Sequence, residues 1–157
     1  MQHFFTDFPT TYILRHRREN LKKCSLRGLE QRTDIKFFTY PEAQLPDLSG
    51  YVLLALDAPP LTNADAGRGL FLLDATWRHA AKMLQFVERE VVIEKRSIPQ
   101  GFHTAYPRRQ DDCPNPEQGL ASVEALYIAY MILGRDTTGL LDFYHWREQF
   151  VAGFGID

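Results

Sequence analysis

Cysteine is nearly absent from this chain, and the little there is forms no pattern. Cys24 and Cys113 are the only two in 157 residues. They lie far apart with no CxxC pair, so neither a zinc site nor a disulfide framework is indicated. Long apolar runs are missing as well. The longest, Ala125 to Leu133, has nine residues, too few to span a bilayer. Met1 to Asp7 shows no basic start followed by an apolar block, so no secretory signal is read there. A cytoplasmic location and no membrane partner are expected. There is no GxSxG, and neither cysteine has a histidine at suggestive spacing, which argues against nucleophilic hydrolysis. His16, His79, His103 and His145 share no HxH or HxxxH spacing. Each reads as a surface or core histidine, and no metal is expected. Gly67-Arg68-Gly69 lacks the third glycine of GxGxxG, and no helix follows it. Internal repeats, low-complexity tracts and heptads are also absent.

What is present is ordinary in bulk and uneven in detail. A hydrophobic content of 45% with 24% charged residues fits a soluble globular chain. The length allows one sizeable core, or a core with a small satellite. The net charge is −2, yet Arg15 to Arg32 holds seven basic residues against Glu19 and Glu30. That leaves +5 over eighteen residues and −7 on the remaining 139. A basic segment on an acidic body suggests contact with a polyanion, phosphate being the usual candidate. A solvated basic face with no partner is the competing reading.

The apolar pattern predicts strands at Thr11–Leu14, Ile35–Phe38, Tyr51–Leu56 and Leu70–Leu73, with a short fifth at Val91–Ile93. The Tyr51–Leu56 run is continuous and does not alternate, as in parallel sheets buried on both faces. Ser25 is placed to cap a short helix carrying Leu26 and Leu29. A helix is expected after Trp77, from Arg78 to about Glu90, an apolar one over Leu120–Leu133 stopped by Gly134, and a last one over about Thr138–Phe150. Tyr106 to Pro116 forms a proline-broken loop, of a length that is often functional.

Two places carry the chemistry. At Leu72-Leu73-Asp74-Ala75-Thr76-Trp77-Arg78 a buried strand gives way to a helix, presenting an acid, a hydroxyl and an indole. Ligands of α/β sheets bind outside such carboxyl strand ends. The same residues would equally serve structure, with Asp74 or Thr76 capping the helix and Trp77 packed in the core. The second place is Gly119-Leu120-Ala121-Ser122-Val123-Glu124-Ala125, where backbone N–H groups at a helix start could hold an anion. Glu124 is either buried and paired or facing a pocket, and local capping competes for both Ser122 and Glu124.

Four segments together resemble the superfamily that unites DTW-domain proteins with the ribosome-maturation aminocarboxypropyltransferases of archaea and eukaryotes. Lys22-Lys23-Cys24-Ser25 with Leu29 resembles the family's "DPKKCSGKKL". Asp74-Ala75-Thr76-Trp77 resembles "DCSW" and "DGTW". Leu120 to Ala125 resembles "LS-x-VEA", and Phe143-Tyr144-His145-Trp146 resembles "KFKWG". All four occur in family order. The "NPVNYG" loop of the ribosomal branch is replaced by Tyr106-Pro107-Arg108-Arg109 and Cys113-Pro114-Asn115-Pro116, and the cysteine-rich N-terminus of DTW proteins is absent.

The resemblance implies an α/β, SPOUT-like fold: a mostly parallel sheet with a trefoil knot and a helical C-terminal part. Residues 1–95 would form the α/β part with its basic RNA-binding segment, and 96–157 the knotted loop and helices. It implies S-adenosylmethionine as donor of a 3-amino-3-carboxypropyl group to a uracil or pseudouracil base, of rRNA ahead of tRNA. Asp74 would orient the acceptor or take its proton, and Trp77 would pack beside the donor. The donor would be held around Leu54, Ala55, Thr76, Trp77, Ile98, Pro99, Tyr106, Leu120, Ala121 and Ser122. RNA would lie on Arg15, Arg17, Arg18, Lys22, Lys23 and Arg27. A monomer is favoured. The alternatives are a SPOUT-type RNA methyltransferase and a non-catalytic RNA-binding or ribosome-assembly factor.

Overall fold

Five parallel strands organise the chain. The structure, a computed structural model, describes residues 8–17, 25–41, 44–75, 77–102 and 121–153, with Trp77 and Arg78 in their backbone alone. The strands are β1 (Thr11–His16), β2 (Ile35–Tyr40), β3 (Tyr51–Leu54), β4 (Gly69–Asp74) and β5 (Glu94–Arg96). The helices are α1 (Trp77–Glu90), α2 (Ser122–Ile132) and α3 (Arg147–Ala152), with 3-10 turns at Leu29–Gln31 and Asn63–Asp65. The sheet order is β2-β1-β4-β3-β5, and each pairing is parallel.

Both faces of the sheet are covered, which is why its inner strand β3 and the Leu70–Leu73 run of β4 read as unbroken apolar runs. Period-two alternation sends Ile13, Ile35, Val52, Leu70 and Leu72 to one face. There they join Leu26, Leu29, Val123, Leu126, Ile128, Leu140 and Phe150. Leu14, Leu53 and Phe71 point to the other face and meet Met83 and Val87 of α1, with Leu48. The first cluster draws on residues from both sides of position 95. α2 runs through its middle, and its apolar all-round sequence follows from that position.

Connections alternate faces in a regular way. The chain from β1 to β2 and from β3 to β4 lays Leu26, Leu29 and Leu61 on the α2 face. The chain from β2 to β3 and from β4 to β5 lays Leu48, Met83 and Val87 on the α1 face. Moves in one direction across the sheet thus use one face and return moves the other. This is what a single crossover hand requires.

Several elements differ from expectation, β3 among them, which ends at Leu54 and not Leu56. The fifth strand begins at Glu94, because Val91 N–H still bonds Val87 C=O at 2.9 Å and extends the end of α1. The expected helix at Ser25 is a turn followed by the 3-10 turn, because Gly28 takes the left-handed conformation (φ 91°). β1 and β2 run on to His16 and Tyr40. The last helix starts at Arg147 and not near Thr138, since Asp136 draws the Thr138 N–H at 2.9 Å and Gly139 has φ 84°. The knotted loop expected within 96–157 falls largely on residues 103–120, outside the described residues.

Tyr51, at the start of β3, shows how tightly the α1 face is filled. Its ring stacks on Tyr12 at 5.0 Å and 7°, and its hydroxyl donates to Thr10 C=O at 2.5 Å. A Cβ on Gly69 would come within 2.3 Å of that ring, so Gly69→Ala is expected to cost about 1–3 kcal/mol in urea denaturation. Burial, and then the Tyr12 phenol, push the Tyr51 hydroxyl up to about 12. The folded state therefore favours the neutral phenol. This contribution is complete below about pH 10, the unfolded value, and is lost as pH rises toward 12. Thermal melts should fall across that window in the wild type and more shallowly in Tyr51→Phe. Absorbance titration of the folded protein should lose one late-ionising tyrosine in the variant.

Candidate active site

β1 and β4 lie side by side, yet the chain leaves them toward opposite faces, into the basic segment and into α1. Such a switch point opens a crevice at the carboxyl ends of the two strands, the preferred ligand position in open α/β sheets. Arg15 and Asp74 are register partners at those ends. Both side chains point to the α2 face, by parity with Ile13 and Leu72.

Asp74 is 3% exposed. Its Oδ2 accepts from Arg15 Nε at 3.0 Å, and its Oδ1 accepts from Ser122 Oγ at 3.2 Å. Arg15 Nη1 donates in turn to Glu30 Oε2 at 2.9 Å, and the guanidinium lies 4.3 Å over the Phe37 ring. Glu30 also accepts the Gly28 N–H at 2.9 Å. Burial opposes the ionisation of Glu30, but the hydrogen bond and charge of Arg15 prevail and hold its carboxyl below the ordinary value. The chain Glu30–Arg15–Asp74–Ser122 links β1, the basic segment, β4 and α2.

This arrangement corrects the reading of Arg15 as an RNA contact. Arg15 is 9% exposed, because β1 runs two residues further than expected and parity carries position 15 inward with Ile13. A buried guanidinium needs carboxylate partners, and Asp74 and Glu30 provide them.

The start of α2 gathers the other motifs. Its N-cap, Ala121, has no side-chain oxygen to offer the helix. Ser25 of the basic segment supplies one, its Oγ accepting the Val123 N–H at 3.1 Å. Glu124 is fully buried; its Oε1 accepts the Ala121 N–H at 2.8 Å, half of a capping box. Its Oε2 accepts from the Tyr144 hydroxyl at 2.8 Å. Glu124 is thus buried and paired. Next to Tyr144, the Phe143 ring covers Gly28, where a Cβ would meet it at 2.2 Å, and Arg27 Nη2 donates to Phe143 C=O at 3.4 Å. Three of the sequence motifs therefore each bond the fourth at the first turn of α2.

The residues expected around the donor have mixed standing. Leu54, Ile98 and Ala121 join the α2-face cluster, and Pro99 follows Ile98 just past β5. Ala55 N–H bonds Arg96 C=O at 2.9 Å, tying the ends of β3 and β5. Trp77 is the first residue of α1. Thr76, Tyr106 and Leu120 lie outside the described residues, as do Arg18, Lys22 and Lys23. Arg17 and Arg27 are exposed. Among the described residues no group of three or more His, Cys, Asp or Glu is arranged to hold a metal ion, and no helix is long and apolar enough to cross a membrane.

Sequence reasoning missed three participants. Arg15 as the partner of Asp74 was detectable in principle, from its parity with Ile13 once β1 is extended. Ser25 was read as the cap of its own short helix and instead caps α2. His16 and His79 stack at 3.9 Å and 10°. No spacing in the chain signals that pair, because one ring ends β1 and the other lies in the first turn of α1.

The fold is similar to that of a solved structure, the SAM-dependent rRNA:acp-transferase Tsr3 from Vulcanisaeta distributa. The TM-score is 0.67 and the identity 20%, over 92% of this chain and 78% of that one. No protein-family model and no curated protein matches in sequence.

The buried pair and the capping carboxylate yield two stability tests. Arg15→Met leaves Asp74 without its ion-pair partner and should cost about 3–5 kcal/mol in urea denaturation. Glu124→Ala removes the carboxylate that accepts from the Ala121 N–H and the Tyr144 hydroxyl and should cost about 2–4 kcal/mol. Tyr144→Phe, which removes one of those bonds, should cost about 1–2 kcal/mol.

Proposed function

We propose that this chain is an S-adenosylmethionine-dependent transferase that moves the 3-amino-3-carboxypropyl group to a uridine or pseudouridine base of rRNA. The observation that carries the proposal is the contact of three motifs with the fourth at the first turn of α2: Asp74 through Ser122, Ser25 through Val123 and Tyr144 through Glu124. The fold likeness to an rRNA:acp-transferase supports it.

The residues present suit such a donor. Leu54, Ile98, Phe102 and Ala121 provide apolar and small surfaces near the carboxyl edge of the sheet, as an adenosine requires. Asp74 and Ser122 add polar groups beside them. Bound there, the donor supplies a sulfonium with three activated carbons, so the reaction depends on which carbon is aimed at the acceptor. Aim is the protein's contribution. Trp77 is the residue assigned to the transferred chain, because the π face of an indole suits a sulfonium charge.

Asp74 acts by orientation in this reading. Its carboxylate is held from two sides by Arg15 and Ser122, which fixes its position to the geometry of β1 and α2. The exposed Arg17 and Arg27, with Arg18, Lys22 and Lys23, hold the RNA phosphates. Arg15 is left out of that contact, buried as the strut for Asp74.

The assay that decides this mixes protein, S-adenosylmethionine and ribosomal RNA and identifies the co-product. Methylthioadenosine is expected; S-adenosylhomocysteine would mean methyl transfer, and absence of donor binding in calorimetry would favour a non-catalytic RNA-binding factor. Trp77→Ala should weaken donor binding about tenfold. Asp74→Asn should keep donor affinity and cut transfer about 100-fold, the scale of a misplaced reacting group. Arg17, Arg18 and Lys22 changed together to glutamate should abolish RNA binding and leave donor affinity nearly unchanged.

A further inference from the structure

Phe143 is out of place for a large apolar side chain. It is 54% exposed, while its neighbours Leu141 and Tyr144 are buried in the α2-face cluster. The ring is nevertheless seated. It rests on the backbone of Gly28, whose missing Cβ leaves the space the ring occupies. Gly28 can turn there because glycine tolerates its φ of 91°. Arg27, exposed in the same turn, donates from Nη2 to Phe143 C=O at 3.4 Å. An aromatic face and a guanidinium are thus held side by side on the surface.

We propose that Phe143 and Arg27 form a stacking platform for an unpaired RNA base, next to the proposed acceptor crevice. The choice of partner follows from charge and shape. Arg27 lies in the basic segment, where Arg15 and Arg32 are paired with carboxylates while Arg17 and Arg27 face solvent, and an anionic strand is the partner complementary to those exposed guanidinium groups. Every base has a flat π face, and proteins that hold single strands combine basic grooves with exposed aromatic rings. A duplex would hide its base faces from Phe143, so the strand at this point is single. The platform is mechanically continuous with the crevice. Tyr144, the next residue, bonds Glu124, and Ser122, two residues before Glu124, bonds Asp74. A base stacked on Phe143 therefore fixes the strand relative to Asp74, so the platform selects which part of an RNA reaches the crevice.

This inference rests on the reading of the chain as an RNA-binding protein, and the test separates the two. The probes are an unstructured RNA twelve nucleotides long and a duplex of the same length, titrated from about 50 to 200 mM salt. Phe143→Ala should weaken single-strand binding about ten- to a hundredfold, the range for one lost base stack, and leave the salt slope unchanged. Arg27→Ala should lower the slope by about one, as a lost phosphate contact does. Phe143→Trp should retain affinity, and matching melting curves would show that the alanine variant is folded. Wild-type protein that binds neither RNA overturns the RNA reading and the platform with it. Wild-type binding that Phe143→Ala leaves intact, or weakens equally for the duplex, overturns the platform alone. Self-association of the wild type that Phe143→Ala removes, with RNA affinity unchanged, would assign the ring to a protein contact and likewise overturn it.

Discussion

A helix that begins inside a protein brings backbone N–H groups into a place where water cannot satisfy them. α2 begins in this way, at the carboxyl edge of the sheet, and its N-cap is alanine. The missing oxygens come from elsewhere. Ser25 arrives from the basic crossover to take the Val123 N–H, and Glu124 turns back to take that of Ala121. Because Glu124 is itself buried, its second oxygen needs a donor, and Tyr144 brings the C-terminal segment in to provide it. One requirement, the satisfaction of a buried helix start, thus fixes three distant segments against one another.

The same requirement shapes the crevice. Ser122, the first residue of α2, reaches across to Asp74 at the end of β4. Asp74 is buried and must be paired, so β1 contributes Arg15, and Arg15 enlists Glu30. The far end of α2 is anchored too: the Tyr130 hydroxyl shares a 2.7 Å hydrogen bond with Thr11 at the start of β1. α2 therefore spans the sheet from one strand edge to the other, bonded at both ends. A carboxylate held this way keeps its position without help from a ligand, the preorganisation that an orienting group needs.

The basic crossover has two kinds of work. Arg15, Ser25 and Leu29 face inward and belong to the scaffold, while Arg17 and Arg27 face solvent. Arg32, at its end, clasps the C-terminal segment through the Thr138 carbonyl at 2.8 Å and pairs with Asp34 at 2.8 Å. Charge counting alone merges these groups, since a buried guanidinium and an exposed one weigh the same in a sequence. The separation matters for chemistry, because the inward arginine is committed to carboxylate partners and only the outward ones are open to solvent.

The parallel α/β sheet, the helix that follows the Asp74 turn and the buried character of α2 are legible in the sequence. These are local properties: unbroken apolar runs, a strand that ends on a carboxylate, an all-apolar helix. Strand and helix ends were less legible, because a helix hydrogen bond at Val91 and an Asx turn at Asp136 override propensity. Only the tertiary structure decided that Arg15 pairs with Asp74, that Ser25 caps α2, that Glu124 meets Tyr144 and that His16 stacks on His79. Each contact joins residues from separate elements, and the pairing rests on strand order and on which face a crossover takes. Periodicity reports which way a residue points; the fold alone supplies the residue it meets.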